Sequence, residues 1–420
     1  MKRYRVIHVS YGGFGSAFAS QTLGLAGALE RAGVPMGLLV FARAKEIAEV
    51  GAVWDGESRG LSGSLSVLPC PPFVGKVNLR LARQQSAALI RNAAAGGRDV
   101  ILHCRGQFSS CLGLLLRDSH PGLSLRVIAD FRGNVVEEMK VQSGQGPYLR
   151  PLKEVVSPAL TKWRVRVSRS LEAEVVKRAD GFSFVSEAFR QEIQRTYRTP
   201  LRASVVVPTC TSLKAIGAGE RDSLRESAKA KLCVQGKYVV VYNGSLLPWQ
   251  EPADILRAYR ACRQARPDAH LLVVTTSPAE ARSYLAEAGL PAAQWTVVSV
   301  PHAEVQNYLV AGDVGLLLRR PSPINSVASP IKFAEYVGSG VPVLASPGIG
   351  DLDQIISTYG VGRILDAPER AGEALADLTF SFEGAHRVLR EYYSWTSGVS
   401  KLLALYERVG VRCQKESAKS

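Results

Sequence analysis

Short runs of β-branched and other apolar residues alternate with longer amphipathic stretches along almost the whole chain. That alternation restricts the fold to parallel α/β architecture. In the first half it predicts strands at 4–10, 36–41, 100–103, 125–129, 181–185 and 203–207. Helices fall at 16–32, 77–94 and 107–117, followed by a long basic helical stretch ending at Lys177. A second set predicts strands at 238–242, 270–275, 296–300, 314–318 and 342–345, with helices between them. One of these opens at Ser277-Pro278-Ala279-Glu280, a capping box with proline in the first helical position. With 420 residues the chain has room for two cores of about 200 residues each. The reading is therefore two tandem Rossmann-like doubly wound domains, 1–210 and 211–385, with an interdomain cleft. Residues 211–235 read as a linker with a short helix. A helical segment at 386–410 can pack back on the first domain, and the polar tail 411–420 is expected to be disordered.

Composition narrows the setting. Apolar residues make up 46% and charged residues 21%, an ordinary globular balance. No apolar run approaches the roughly 18 residues that span a bilayer. The basic N-terminus leads into a strand instead of a signal-peptide core, so the expected location is cytoplasmic. Cys70, Cys104, Cys111, Cys210, Cys233, Cys262 and Cys413 are scattered and odd in number, which argues against a disulfide framework and a structural zinc site. Net charge is +15, and residues 1–210 hold 29 basic against 16 acidic side chains, so nearly all the excess lies in the first half. It concentrates in 71–98, with Lys76, Arg80, Arg83, Arg91 and Arg98 and no acid, and in 150–178. Such one-sided charge implies an anionic partner: a membrane surface, lipid phosphate or nucleic acid.

The densest chemical signal runs from Asn325 to Val343. Ser329 reads as an N-cap, Pro330 as the first helical residue and Gly340 as the stop. A helix N-terminus at a strand's carboxyl end is prepared for an anion. Lys332 adds a full positive charge there, and Glu335, three residues on, shares its face. A carboxylate so placed can accept both hydroxyls of a ribose, so diphosphate on the cap and lysine with ribose on the glutamate describes a nucleotide-sugar grip. The competing reading is an exposed i, i+3 ion pair without function.

This stretch resembles the donor site of retaining GT-B glycosyltransferases of family 4, the bacterial polysaccharide-assembly type, with its Ser-Pro-x-Lys-x-x-Glu-Tyr version. Leu102-His103-Cys104-Arg105-Gly106 is similar to the family's strand-end segment facing the donor sugar. Asp130-Phe131-Arg132-Gly133 resembles its Asp-x-Arg-Gly segment, and Asn243-Gly244-Ser245 resembles the first turn of the nucleotide domain. The resemblance implies a donor site of Gly12, Gly13, Asn243, Gly244, Ser245, Arg320, Asn325, Ser329, Lys332 and Glu335. Lys332, Arg105 and His103 would carry catalysis, and Asp130 and Arg132 would hold the acceptor. His103 and Arg105 are taken to point to opposite faces of their strand, with Arg105 the first candidate for the cleft. One departure is Val327, where the family's Glu-x7-Glu places a carboxylate; Asn325 or the backbone would then meet the sugar hydroxyls. Arg319 or Arg320 could supply a second positive charge.

Weaker signals are read more plainly. Tyr11-Gly12-Gly13-Phe14-Gly15-Ser16 follows the first strand, but no acid ends the second, which argues against NAD; the glycines either let the backbone approach a donor phosphate or make a tight strand–helix turn. Asp351-Leu352-Asp353 fits helix capping better than metal binding. His8 and His120 read as structural. No metal or other cofactor is expected.

The family implies front-face transfer without a fixed nucleophile, Lys332 and the helix dipole stabilising the departing nucleoside diphosphate. The partners implied are a nucleotide sugar, a glycan or polyprenyl-diphosphate-linked acceptor, and the anionic inner face of the membrane, with no nucleic acid. Alternatives are a GT-B sugar-nucleotide epimerase, whose histidine and acidic cluster is not evident in the first half, and a non-enzymatic two-domain sugar-binding protein.

Overall fold

The apolar runs of the first half form a seven-stranded sheet in which every pairing is parallel. Its strands are β1 (Tyr4–Tyr11), β2 (Met36–Ala42), β3 (Leu65–Pro69), β4 (Asp99–Arg105), β5 (Leu125–Phe131), β6 (Gly181–Phe184) and β7 (Ala203–Val206), in the order β3-β2-β1-β4-β5-β6-β7. The structure, a computed structural model, describes residues 4–11, 18–42, 47, 65–69, 76–95, 97–142, 158–245 and 250–416. Strand β3 was not foreseen from sequence. Leu65-Ser66-Val67-Leu68-Pro69 is a five-residue edge strand ending in proline, too short and too mixed to stand out.

The second half forms a six-stranded parallel sheet, β10-β9-β8-β11-β12-β13. Its members are β8 (Tyr238–Asn243), β9 (Ala269–Val274), β10 (Trp295–Val298), β11 (Val314–Leu317), β12 (Val343–Ala345) and β13 (Gly362–Ile364). The last of these, three residues long, was also missed. The fold is thus α/β, with two Rossmann-like units. The chain divides into residues 1–211 with 395–420, and residues 212–394. Residues 386–394, grouped by sequence with the C-terminal helical segment, belong to the second unit. The helix Trp395–Glu416 belongs to the first and continues into the segment expected to be a disordered tail.

That C-terminal helix covers one face of the first sheet. Leu402, Leu405, Tyr406 and Val409 share a core with Val6, Ile101 and Ile128 and with Leu25 and Leu29 of the helix Gly24–Arg31. Gly181 in β6 permits the approach: a Cβ there would stand 2.9 Å from Ile128 Cδ1 and 3.1–3.2 Å from Val409 and Leu405. Residues 211–235 are more than a linker. The helix Ala218–Lys231 is tied to the second unit through Asp313, which pairs with Arg225 and accepts from Lys229 Nζ at 2.9 Å and the Val239 N–H at 2.7 Å.

In each sheet the chain reverses its direction of progress between two central strands, β1 and β4 in one, β8 and β11 in the other. Ligands of such sheets bind beyond the carboxyl ends at that switch point. Both groups of chemically interesting side chains lie there.

Candidate functional site

In the second unit the site is organised by the helix Ile331–Gly338. Pro330 is its N-cap, so the helix starts one residue later than the sequence reading and Ser329 lies outside it. Proline fixes φ near the helical value but has no cap side chain to offer. Buried Tyr336 sets the depth of the helix. Its ring packs where Gly315 of β11 leaves space, since a Cβ there would come within 2.8 Å of it. Its hydroxyl accepts from the Asn243 N–H at 2.6 Å and lies 3.2 Å from the Leu316 carbonyl, bridging β8 and β11.

One residue earlier, Glu335 is buried at 1% exposure, and its carboxylate is met from three directions. Asn243 Nδ2 donates to Oε2 at 2.6 Å, Lys332 Nζ lies 3.1 Å from the same oxygen, and His302 Nε2 lies 3.1 Å from Oε1. Burial pushes the carboxyl up, but the His302 and Lys332 contacts outweigh it and hold Glu335 below the usual range. The pair is therefore not an exposed surface pair, since one of its members is fully buried. Lys332, in the first turn of the helix, is 30% exposed and anchored to a buried anion. His302 carries no sequence motif; its only signal is its place just beyond β10, after Pro301.

The remaining second-unit candidates serve the surrounding loops. Gly244 donates its N–H to Val274 at 3.0 Å, and the Ser245 carbonyl accepts from Tyr242 at 2.6 Å. Arg320 reaches Glu251 at 2.9 Å. Asn325, assigned by sequence to sugar hydroxyls, is 4% exposed. Its amide accepts from Arg319 at 3.3 Å and donates to the Arg320 carbonyl at 2.9 Å, while its own carbonyl accepts from Gly350 at 3.1 Å. A buried amide so engaged braces the loop after β11. Asp353 accepts from the Gly348 N–H with both carboxylate oxygens, at 3.1 and 3.0 Å. Among the described residues no group of three or more His, Cys, Asp or Glu could hold a metal ion.

The first unit gathers a second polar cluster. Side chains two residues apart on a strand share a face, so His103 and Arg105 point the same way, correcting the expectation of opposite faces. With parallel registers His8↔His103 and Arg105↔Asp130, strands β1, β4 and β5 bring His8, His103, Arg105 and Asp130 together. Arg132, Ser183, Trp395 and Leu402 help to line the same small pocket. The His8 and His103 rings stack with centroids 5.4 Å apart. His103 Nε2 lies 3.6 Å from Asp130 Oδ2, and Nδ1 lies 2.8 Å from the hydroxyl of Tyr406. Burial pushes Asp130 up, but Arg132, His103 and Arg105 together hold it well below the carboxylate range. Burial and the neighbouring Arg132 push Arg105 down to about 10, and no described carboxylate reaches ion-pair distance of its guanidinium. Arg132 spends its guanidinium on the carbonyls of Val207 (2.7 Å) and Pro208 (3.4 Å).

His8, read from sequence as structural, is part of this cluster: it is 1% exposed and neither ring nitrogen has a hydrogen-bond partner. A two-residue period pairing Val6 with His8 and Ile101 with His103 could have found it. Tyr406, 303 residues from His103, offers no local signal. His120 has partners of its own, the Leu116 carbonyl and Arg91. Gly12 and Gly13 lie outside the described residues.

No family model and no curated relative matches the chain. Solved structures do. HepE from Anabaena in complex with UDP matches with a TM-score of 0.66 at 14% identity, covering 96% of this chain and 100% of that one. A glycosyltransferase from Rickettsia africae gives 0.64 at 14% identity over 97% and 99%. Sucrose-phosphate synthase from Thermosynechococcus elongatus gives 0.63 at 14% identity over 97% and 100%. At such identities the likeness establishes the fold, the Rossmann-like GT-B architecture.

Proposed function

We propose that this chain is a glycosyltransferase that moves a sugar from a nucleoside-diphosphate sugar to a glycan or lipid-linked acceptor. In this reading it is a retaining family 4 enzyme of cell-surface polysaccharide assembly, working at the inner face of the membrane. The observation that carries it is Lys332, fixed by buried Glu335 in the first turn of a helix at the switch point of the second sheet. HepE, which shares the fold, was solved with UDP and with UDP-glucose, which supports a nucleotide sugar as ligand.

The chemistry follows from charge. As the glycosidic bond to the donor breaks, negative charge accumulates on the departing diphosphate. The Lys332 ammonium and the unpaired N–H groups of the helix start meet it without reorganising. No metal is needed to neutralise it. Glu335 turns from His302, the most exposed of its three partners, to a ribose hydroxyl. In the first unit Arg105 offers a charge not committed to any described carboxylate, and Asp130 and Arg132 orient the acceptor.

A panel of nucleotide sugars in a thermal-shift assay tests the reading. A ligand at about 100 times its Kd adds about 2.7 kcal/mol of stability, a rise of several degrees. A panel without any response contradicts it.

The His8–His103–Asp130 cluster favours a second reading, a nucleotide-sugar epimerase of the same fold, because that class needs histidine and acid in the first unit. Incubation with donor alone separates the two: an epimerase converts it or releases free nucleotide, whereas a transferase waits for acceptor.

A further inference from the structure

Large apolar side chains stand exposed at four described positions, and three of them fall on the two basic segments of the first unit. Leu81 (42%) lies on the helix Lys76–Ala93, and Leu160 (43%) and Trp163 (54%) on the helix Pro158–Arg178. Both helices pack against Gly106–Ser119, which rests on β4 and β5, so they belong to one layer of the unit. Scattered exposed leucines need no explanation. Exposed apolar groups concentrated on the segments with the greatest excess of positive charge do.

On Pro158–Arg178 the arrangement is specific. Lys162, Arg166 and Arg169 recur at helical spacing and are exposed, and the helix has no acid before Glu172. Lys162 and Arg166 meet no carboxylate among the described residues, and Arg169 has only a distant one, Glu137 at 3.9 Å. With Lys140 and Val165 these three line a shallow basic depression. Trp163 stands beside Lys162, and Leu160 lies one turn before it. A basic row with so few carboxylate partners, flanked by an exposed tryptophan and leucine, matches the headgroup region of an anionic bilayer. Phosphates meet the cations there, and indole and aliphatic groups enter the interface.

We propose that the exposed face of Pro158–Arg178 docks on anionic phospholipid. Leucines gain from burial among acyl chains and nothing from base stacking, which favours a bilayer over a nucleic acid. The inference rests on the functional reading only for its purpose, delivery of a lipid-linked acceptor; the binding itself is independent of it.

The full-length protein is mixed with vesicles of phosphatidylcholine alone or with phosphatidylglycerol, and binding is read by co-sedimentation and tryptophan emission. Binding requires phosphatidylglycerol, weakens with salt, and shifts emission to the blue; Trp163→Phe abolishes most of that shift. Lys162→Gln with Arg166→Gln weakens partitioning about 30-fold, from about fivefold per charge. Equal binding to both vesicles, an unchanged double variant, a blue shift surviving in Trp163→Phe, or binding to single-stranded RNA without vesicle binding each overturns the proposal. Nucleotide-sugar binding is measured in parallel. Vesicle binding without it sinks the functional reading alone, and the converse sinks the docking face alone.

Discussion

The phenol oxygen of Tyr406 lies 2.8 Å from Nδ1 of His103, joining the C-terminal helix to the central strand of the first sheet. Burial, with Asp130 nearby, raises the Tyr406 hydroxyl well above its usual range, so it remains protonated and donates to Nδ1. With Nδ1 accepting, Nε2 is the ring nitrogen left to carry a proton, 3.6 Å from Asp130 Oδ2.

Tyr406→Phe keeps the ring and removes the donor. The His103 15N shifts should move from a single Nε2–H tautomer to a mixture, and turnover should fall by about 2–12-fold, the worth of one hydrogen bond. Unchanged 15N shifts would show that Tyr406 only packs.

Acid should destabilise the first unit through His8. Burial first, then His103 and Arg105, pushes its pKa well below the ordinary value, so the folded state keeps it neutral while the unfolded chain protonates near pH 6.5. Below that pH the unfolded state binds more protons, and stability is lost as pH falls. The loss approaches about 1.4 kcal/mol per pH unit. Asp130, also depressed, adds to the loss at more acidic pH, as pH falls through the ordinary carboxylate range and below it. His8→Phe fills the same space without titrating, so its melting temperature should fall less than the wild type's between pH 7 and about pH 5. Parallel curves for the two proteins would contradict the assignment.

The sequence carried much of this fold because buried parallel strands are continuous apolar runs, and Val239-Val240-Val241 and Leu271-Leu272-Val273 are such runs, short and β-branched or aliphatic between helical stretches. It failed at β3 and β13, edge strands of five and three residues whose identity comes from pairing instead of pattern. Lys332 and Glu335 were legible as a helical i, i+3 pair. His302 and Tyr406 were not, because each reaches its partner across the fold, 33 and 303 positions away. The His8–His103 pair was within reach, and a misapplied strand period hid it.

The Asp351-Leu352-Asp353 triplet should be dispensable for chemistry. Asp353 is occupied by the Gly348 N–H, so Asp351→Asn with Asp353→Asn should cost about 1 kcal/mol of stability and leave donor affinity unchanged. Transfer should also survive excess EDTA. Activity lost to EDTA and restored by Mg2+ or Mn2+ would mean that the triplet binds metal.

The central claim is that Lys332 grips the donor diphosphate, and calorimetric binding of the nucleotide sugar selected by the thermal panel tests it most directly. Because Glu335 is buried, Lys332→Ala leaves an anion with two partners in place of three, so Lys332→Met with Glu335→Gln is measured beside it as a pair without that liability. The account predicts that both variants remain folded by melting temperature, bind the donor about 10–150-fold more weakly, and lose roughly two orders of magnitude or more in kcat/KM. Wild-type donor affinity and turnover in folded Lys332→Ala would contradict it.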